Sequence, residues 1–210
     1  MRETADAVFL LECWYMKVII GVDEAGRGPL AGPVSVGVVA AKNKKFSKEL
    51  KGIRDSKKFS ESQREEWFKK IKKLKREGIV DYAVSLCGAK VINERGIVGA
   101  IKLALARSLK KLECPPNKCE ILLDGSLYAP AVYKKQKTII GGDDEIPLIS
   151  AASIMAKVTR DRKMGRLAKK FPGYGFEIHK GYGTAKHIKA IKKLGATEEH
   201  RKLFIRNFIR

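Results

Sequence analysis

Two apolar runs in this sequence each end in acid: Val22 is followed by Asp23 and Glu24, and Leu123 by Asp124. A third acidic group, Asp143, Asp144 and Glu145, comes soon after the short run 137–140. In open α/β sheets, ligands gather beyond the carboxyl ends of the strands. If the first two runs are parallel neighbours, Asp23 and Asp124 stand side by side, about 5 Å apart. Two bare carboxylates at about 4 Å repel by roughly 4 kcal/mol in an effective dielectric of about 20. Hard divalent cations such as Mg²⁺ or Mn²⁺ take oxygen ligands and would neutralise them. Carboxylates without histidine or cysteine suit two-metal cleavage of a phosphodiester, one ion activating water and the other stabilising the leaving oxygen. Acids at strand ends also cap turns or sit in solvent, and residue type alone leaves that alternative open.

The segment after the first acids, Glu24-Ala25-Gly26-Arg27-Gly28-Pro29-Leu30-Ala31-Gly32, is glycine-rich. Its spacing is one residue longer than the dinucleotide fingerprint, and a strand pattern follows it where that motif requires a helix. The lysine and Ser/Thr of a P-loop are also missing. Gly26 and Gly28 permit close backbone approach to a ligand, and Arg27 offers a planar fork for phosphate. Backbone groups here could read a 2′-hydroxyl, the feature that separates RNA from DNA. A tight turn between strands is the plainer alternative.

The elements that must position these residues read as follows. Strand patterns cover 18–22, 33–40, 79–87, 120–123 and 137–140. Ser60 with Gln63 forms a capping box. Behind it Trp67, Phe68, Ile71 and Leu74 mark one helix face, with Lys69, Lys70, Lys72, Lys73, Lys75 and Arg76 mostly on the other. Helical patterns also cover 97–112, 150–171, 184–194 and 197–204. The order predicts an α/β domain with a mixed sheet and a helical C-terminal part. Residues 16–170 form the expected core and 171–210 a C-terminal helical region packed on it. Residues 1–15 read as an extension, or as a start-codon artefact if Met16 is the true start.

The 210 residues carry 44 Lys and Arg against 23 Asp and Glu, a formal charge of +21. Such an excess attracts polyanions through long-range attraction and counterion release. Lysine- and glutamate-rich composition also points to a thermophilic source. Hydrophobic content of 44% with 32% charged residues is globular. No apolar run reaches the ~20 residues of a membrane span, so a cytoplasmic protein without a membrane partner is expected, with a monomer as the default. Cys13, Cys87, Cys114 and Cys119 form no C-x-x-C. Free thiols are the default expectation, with a small Cys114–Cys119 disulfide loop as the alternative. Only His179, His187 and His200 could join them, so a four-ligand zinc site is hard to assemble.

At this point the chain resembles the ribonuclease HII (type 2 ribonuclease H) family. The run Asp23 to Gly32 is similar to that family's opening signature at every position. Asp55-Ser56-Lys57-Lys58 resembles its second motif and Leu123-Asp124-Gly125 its third. The fourth is matched by Gly142-Asp143 through Pro147, Ile149-Ser150-Ala151-Ala152-Ser153-Ile154 and Ala156-Lys157-Val158-Thr159-Arg160-Asp161. The fifth is matched by Tyr174-Gly175-Phe176 with His179-Lys180-Gly181-Tyr182-Gly183-Thr184. The likeness runs in order from about residue 17 to 204.

The resemblance implies a ribonuclease H-like fold and cleavage of the RNA strand of RNA–DNA hybrids. It implies cutting 5′ of ribonucleotides embedded in duplex DNA, leaving a 3′-hydroxyl and a 5′-phosphate, as in ribonucleotide excision repair and DNA replication. It implies two divalent ions, Mg²⁺ or Mn²⁺, on Asp23, Glu24, Asp124 and Asp143. Asp143 is preferred because the family's proline, here Pro147, stands four residues after its acid; Asp144 stays a rival. Gly26, Arg27 and Gly28 are implied at the ribose 2′-hydroxyl, Tyr182 against the next sugar, and Lys57 and Arg27 on phosphates. Taken alone, Tyr182 would pack rather than stack, His179 is open between phosphate contact and structure, the 150–153 segment is small-residue packing, and the 69–76 cluster is a solvated face. The tail 203–210 lacks the glutamine of the usual sliding-clamp peptide, so clamp contact is unsupported by the sequence. The competing reading from another class is a non-catalytic nucleic-acid-binding module built on charge and the glycine loop.

Overall fold

The computed structural model describes residues 18–208. The expected extension 1–15, the alternative start at Met16, Cys13, and Ile209 and Arg210 of the tail lie outside the described residues. Five strands form one mixed sheet: β1 (Val18–Ala25), β2 (Val34–Ala41), β3 (Val80–Cys87), β4 (Cys119–Asp124) and β5 (Gln136–Ile139), in the order β3-β2-β1-β4-β5. β1 and β2 pair antiparallel, as do β2 and β3, while β1–β4 and β4–β5 are parallel.

The helices are α1 (Phe46–Glu49), α2 (Glu61–Arg76), α3 (Ala89–Lys111), α4 (Gly142–Glu145), α5 (Pro147–Lys170), α6 (Phe176–His179), α7 (Ala185–Leu194) and α8 (Lys202–Ile205). Single 3₁₀ turns cover Ser56–Lys58 and Pro116–Lys118. Alternation along the strands sorts side chains between two layers. Ile20, Val22, Val34, Val36, Val38 and Ala40 join α3 in one buried cluster, with Ile121 and Leu123 of β4. Val39 and Ile19 turn the other way, toward α2 and α5.

α5 lies close on the second face because the sheet presents glycines at two points beneath it. A β-carbon at Gly21 would overlap the Leu148 backbone, and one at Gly37 would overlap Ala152. Ser150, Ala151, Ala152 and Ser153 are all buried against that surface. α2 starts with the reciprocal Ser60–Gln63 capping box. A third buried cluster joins Leu30 and Ala31 to Met164, Phe176, Ile191 and Ile205, which fastens residues 171–208 to the rest.

Several details depart from the sequence reading. α3 begins at Ala89 rather than 97 and is two helical pieces joined at Gly96, whose φ of 69° breaks the helical path. The expected helix 197–204 shrinks to the single turn α8. The backbone before it is taken elsewhere: Ala31 bridges His200, and the Arg201 amide donates to the Leu30 carbonyl at 2.8 Å. Cys114 and Cys119 are joined as a disulfide, against the default of free thiols, because the Pro115–Lys118 turn brings the two ends together. Cys87 is free and buried. Among the described residues, no helix is long and apolar enough to cross a membrane.

Candidate active site

Register and parity bring the acids together. Val22 pairs with Leu123 across the parallel β1–β4 ladder, and both side chains enter the α3 cluster. The next residues, Asp23 and Asp124, therefore lie on neighbouring strands and turn to the opposite face, under the start of α5. Ser153 of α5 hydrogen-bonds the Asp23 carboxylate there. α4 supplies the third acid: the Asp143 amide donates to Asp124 Oδ1 at 3.3 Å. Asp144, one residue on, turns outward and pairs with Lys58 at 2.6 Å. Glu24 is the penultimate residue of β1, with Arg27 Nη1 at 3.2 Å from its Oε1.

The electrostatics follow from this crowding. Burial pushes the Asp23 carboxyl well above the usual carboxylate range, and the charges of Glu24 and Asp124 push it further. Burial also raises Glu24, with Asp124 adding to the effect and Arg27 opposing it. Asp143 is raised by burial, then by Asp124 and Asp55, against the pull of Lys57. Lys57 Nζ lies 3.5 Å from Asp143 Oδ2 and 3.7 Å from Asp55 Oδ2. Burial opposes its charge, yet Asp55, Asp143 and Asp23 together hold the ammonium above its ordinary pKa. Asp144, by contrast, is lowered by its hydrogen bond to Lys58.

Among the described residues, no three acidic, histidine or cysteine side chains close on a common point as they stand. The donor set nevertheless fits a hard divalent ion. It is all oxygen, and three of its members, Asp23, Glu24 and Asp143, are held above their usual range by burial and by neighbouring acids. A cleft of about 330 Å³ lined by Ile92, Ile97, Val98, Leu203 and Phe204 includes none of these acids.

The glycine loop is anchored by two residues that the sequence reading did not single out. Arg201 is fully buried and donates from Nη2 to the Gly26 carbonyl (2.7 Å), from Nη1 to Arg27 (2.9 Å) and from Nε to Gly32 (3.1 Å). Arg160, also fully buried, donates from Nε to Pro33 (2.8 Å) and from Nη2 to Ala31 (3.3 Å). Among the described residues its Nη1 has no hydrogen-bond partner. Burial lowers both guanidinium pKa values, that of Arg201 to about 9. Gly26 has a φ of 91°, and a β-carbon there would overlap the Arg160 guanidinium. Gly28 faces open space. The one available sequence signal was that Arg160 stands inside a quoted family motif; position 201 carried none.

Tyr182 sits in the turn between α6 and α7, 44% exposed as a residue, with the Arg160 guanidinium 5.8 Å from its ring centroid. His179 is structural: Nε2 lies 2.7 Å from the Tyr174 carbonyl and Nδ1 accepts from the Gly181 amide at 3.2 Å. Asp55, quoted in a motif without a role, and Ser153, read only as small-residue packing, are further members of the rim.

Comparison with known proteins adds three findings. A family model described as Ribonuclease HII matches residues 20–210. A ribonuclease HII from Ruminiclostridium cellulolyticum is 48% identical over 191 residues, covering 91% of this chain and 71% of the relative. One from Fusobacterium nucleatum is 45% identical, covering 100% and 95%. The fold is similar to that of the ribonuclease HII from Archaeoglobus fulgidus, solved in complex with PCNA, at a TM-score of 0.72 and 27% identity, covering 88% of this chain and 93% of that one.

Proposed function

The chain belongs to the ribonuclease HII family, and from that premise we propose that it hydrolyses the RNA strand of RNA–DNA hybrids and cuts 5′ of single ribonucleotides in duplex DNA. The products carry a 3′-hydroxyl and a 5′-phosphate. The observation that supports this best is the in-register end of β1 and β4, which sets Asp23 beside Asp124 with the Asp143 amide on Asp124. Asp23, Glu24, Asp124 and Asp143 would hold two divalent ions, Mg²⁺ or Mn²⁺. When bound, such ions supply an activated water and a stabilised leaving oxygen.

The chain's own groups orient the substrate. Arg201 occupies the carbonyls of Gly26 and Arg27, so the amide edge of the Gly26-Arg27-Gly28 segment is the side left to meet a ribose 2′-hydroxyl. The Tyr182 ring packs on the sugar that follows. Lys57 and Arg27 contact phosphates once the acids beside them are otherwise neutralised. The +21 charge draws the duplex in. The protein acts as a cytoplasmic monomer. Clamp contact, which the complex of the archaeal relative raises, is open to a pull-down with a sliding clamp.

The test is incubation with a duplex carrying one ribonucleotide, and with a full hybrid, in Mg²⁺, Mn²⁺ or chelator. Cleavage 5′ of the ribonucleotide in both metals and none in chelator is expected. Salt-sensitive binding without a metal-dependent product would replace this reading with that of a non-catalytic binding module.

A further inference from the structure

All 3 histidines of the chain lie in one cluster around Phe176, beneath the Tyr182 turn. His179 stacks on His187 with centroids 4.4 Å apart, and His187 meets His200 at 5.3 Å. His187 and His200 are buried. Their hydrogen bonds run in one direction. The Thr197 amide donates to His200 Nδ1 at 2.9 Å, so that nitrogen is bare and the proton of His200 sits on Nε2. His200 Nε2 lies 3.2 Å from His187 Nε2, which must therefore accept. The remaining proton of His187 is on Nδ1, 2.9 Å from the Tyr182 carbonyl that accepts it.

We infer that His200 and His187 are positioning residues: a neutral relay from the Thr197 amide to the Tyr182 carbonyl that holds the Tyr182 ring where the substrate meets it. The inference rests on the reading of Tyr182 as a substrate contact. Each ring accepts at one nitrogen and donates at the other, His200 Nδ1 also lying 2.9 Å from the Thr197 hydroxyl, so a charged ring would set two N–H groups against each other. Burial lowers the pKa of both, that of His200 to about 4. The groups around the relay are consistent with neutrality: His179 stacks on it, and Arg201, next to His200, is spent on loop carbonyls.

The relay also ties Tyr182 to the glycine loop. The Gly181 carbonyl accepts from the Leu30 amide at 2.8 Å, and Ala31 bridges His200. The sugar-facing ring and the loop that reads the 2′-hydroxyl are thus held as one body, which is the precision a site needs for near-attack geometry. Packing alone would be served by any flat ring of the same size, and would not require this sequence of donors and acceptors.

Two measurements test this. Ring-nitrogen NMR of the intact chain at neutral pH should show His187 protonated on Nδ1, with His179 and His200 protonated on Nε2. A charged His187, or one protonated on Nε2, overturns the relay whatever the activity. On a single-ribonucleotide duplex, His187→Phe should lower kcat by about tenfold, the worth of one well-placed hydrogen bond. His187→Asn, which returns a donor near the Nδ1 position, should recover most of that. In a Tyr182→Ala background, His187→Phe should add nothing; an equal further loss there overturns positioning in favour of general packing. Full activity of Tyr182→Ala with the tautomers intact would overturn the substrate role of Tyr182, and the positioning claim with it, while leaving the relay standing.

Discussion

The rim of β1 and β4 and the base beneath residues 26–33 both bury charge or titratable groups, and they treat it in opposite ways. At the rim Asp23, Glu24 and Asp143 are pushed above their usual range by burial and by neighbouring acids. Their partners are the cations of Lys57 and Arg27, whose side chains are 80% and 46% exposed. At the base, Arg201 donates to three carbonyls, both buried histidines have donor and acceptor filled, and Arg160 donates to two more carbonyls with only its Nη1 left open among the described residues. A region left electrostatically unfinished beside a largely hydrogen-bonded frame is where a charged ligand belongs. The hydrogen-bonded region is where rigidity is needed.

Asp124→Asn should break the contrast most. It removes a carboxylate from the centre of the rim and leaves the basic surface, so cleavage should fall by at least ~10³-fold, about 4 kcal/mol at the barrier, while duplex binding in a gel-shift assay persists. Arg201→Met should come next and act on stability. Three loop carbonyls lose their donor, and a buried network broken on one side loses about 3–5 kcal/mol, read as a lower denaturant midpoint with reduced cleavage.

A drop in pH separates the two regions further. His200 binds a proton less readily folded than unfolded, with its pKa lowered from 6.5 to about 4. Its contribution to stability is therefore full above pH 6.5 and is lost as pH falls toward 4, roughly 3 kcal/mol at most. Denaturant melts at pH 7 and pH 4.5 check this, with His200→Gln showing a flatter dependence. The smallest effect should have the opposite sign. Asp23→Asn replaces a carboxylate whose charged form is disfavoured by burial and by Glu24 and Asp124, so in metal-free buffer the variant should melt higher than the parent although it cannot cleave.

Much of the rim was legible in the sequence. Apolar runs ending in acid, with the family motifs in order, located Asp23, Asp124 and Asp143, and the parallel pairing assumed for β1 and β4 is the pairing observed. Strands were readable because a sheet covered on both faces writes itself as short apolar runs, with only 79–87 showing alternation. The base was not. Arg201 acts through the carbonyls of Gly26, Arg27 and Gly32, far off in sequence, and His200 through a ring nitrogen of His187 on another element, which leave no spacing to read. The helix assigned to 197–204 failed for the same reason: pairing of Ala31 and Leu30 with His200 and Arg201 overrides a local pattern. The Gly96 break in α3 follows from backbone freedom that only the tertiary path reveals.

The central claim is tested most directly by Mn²⁺ titration of the protein without nucleic acid, followed by calorimetry and thermal melting, for the parent chain and Asp124→Asn. Binding to the acidic rim predicts a melting temperature that rises with Mn²⁺, equivalent to about 2.7 kcal/mol at one hundred times Kd, and a rise largely absent in the variant. The same response in both proteins, or none in the parent, would contradict it.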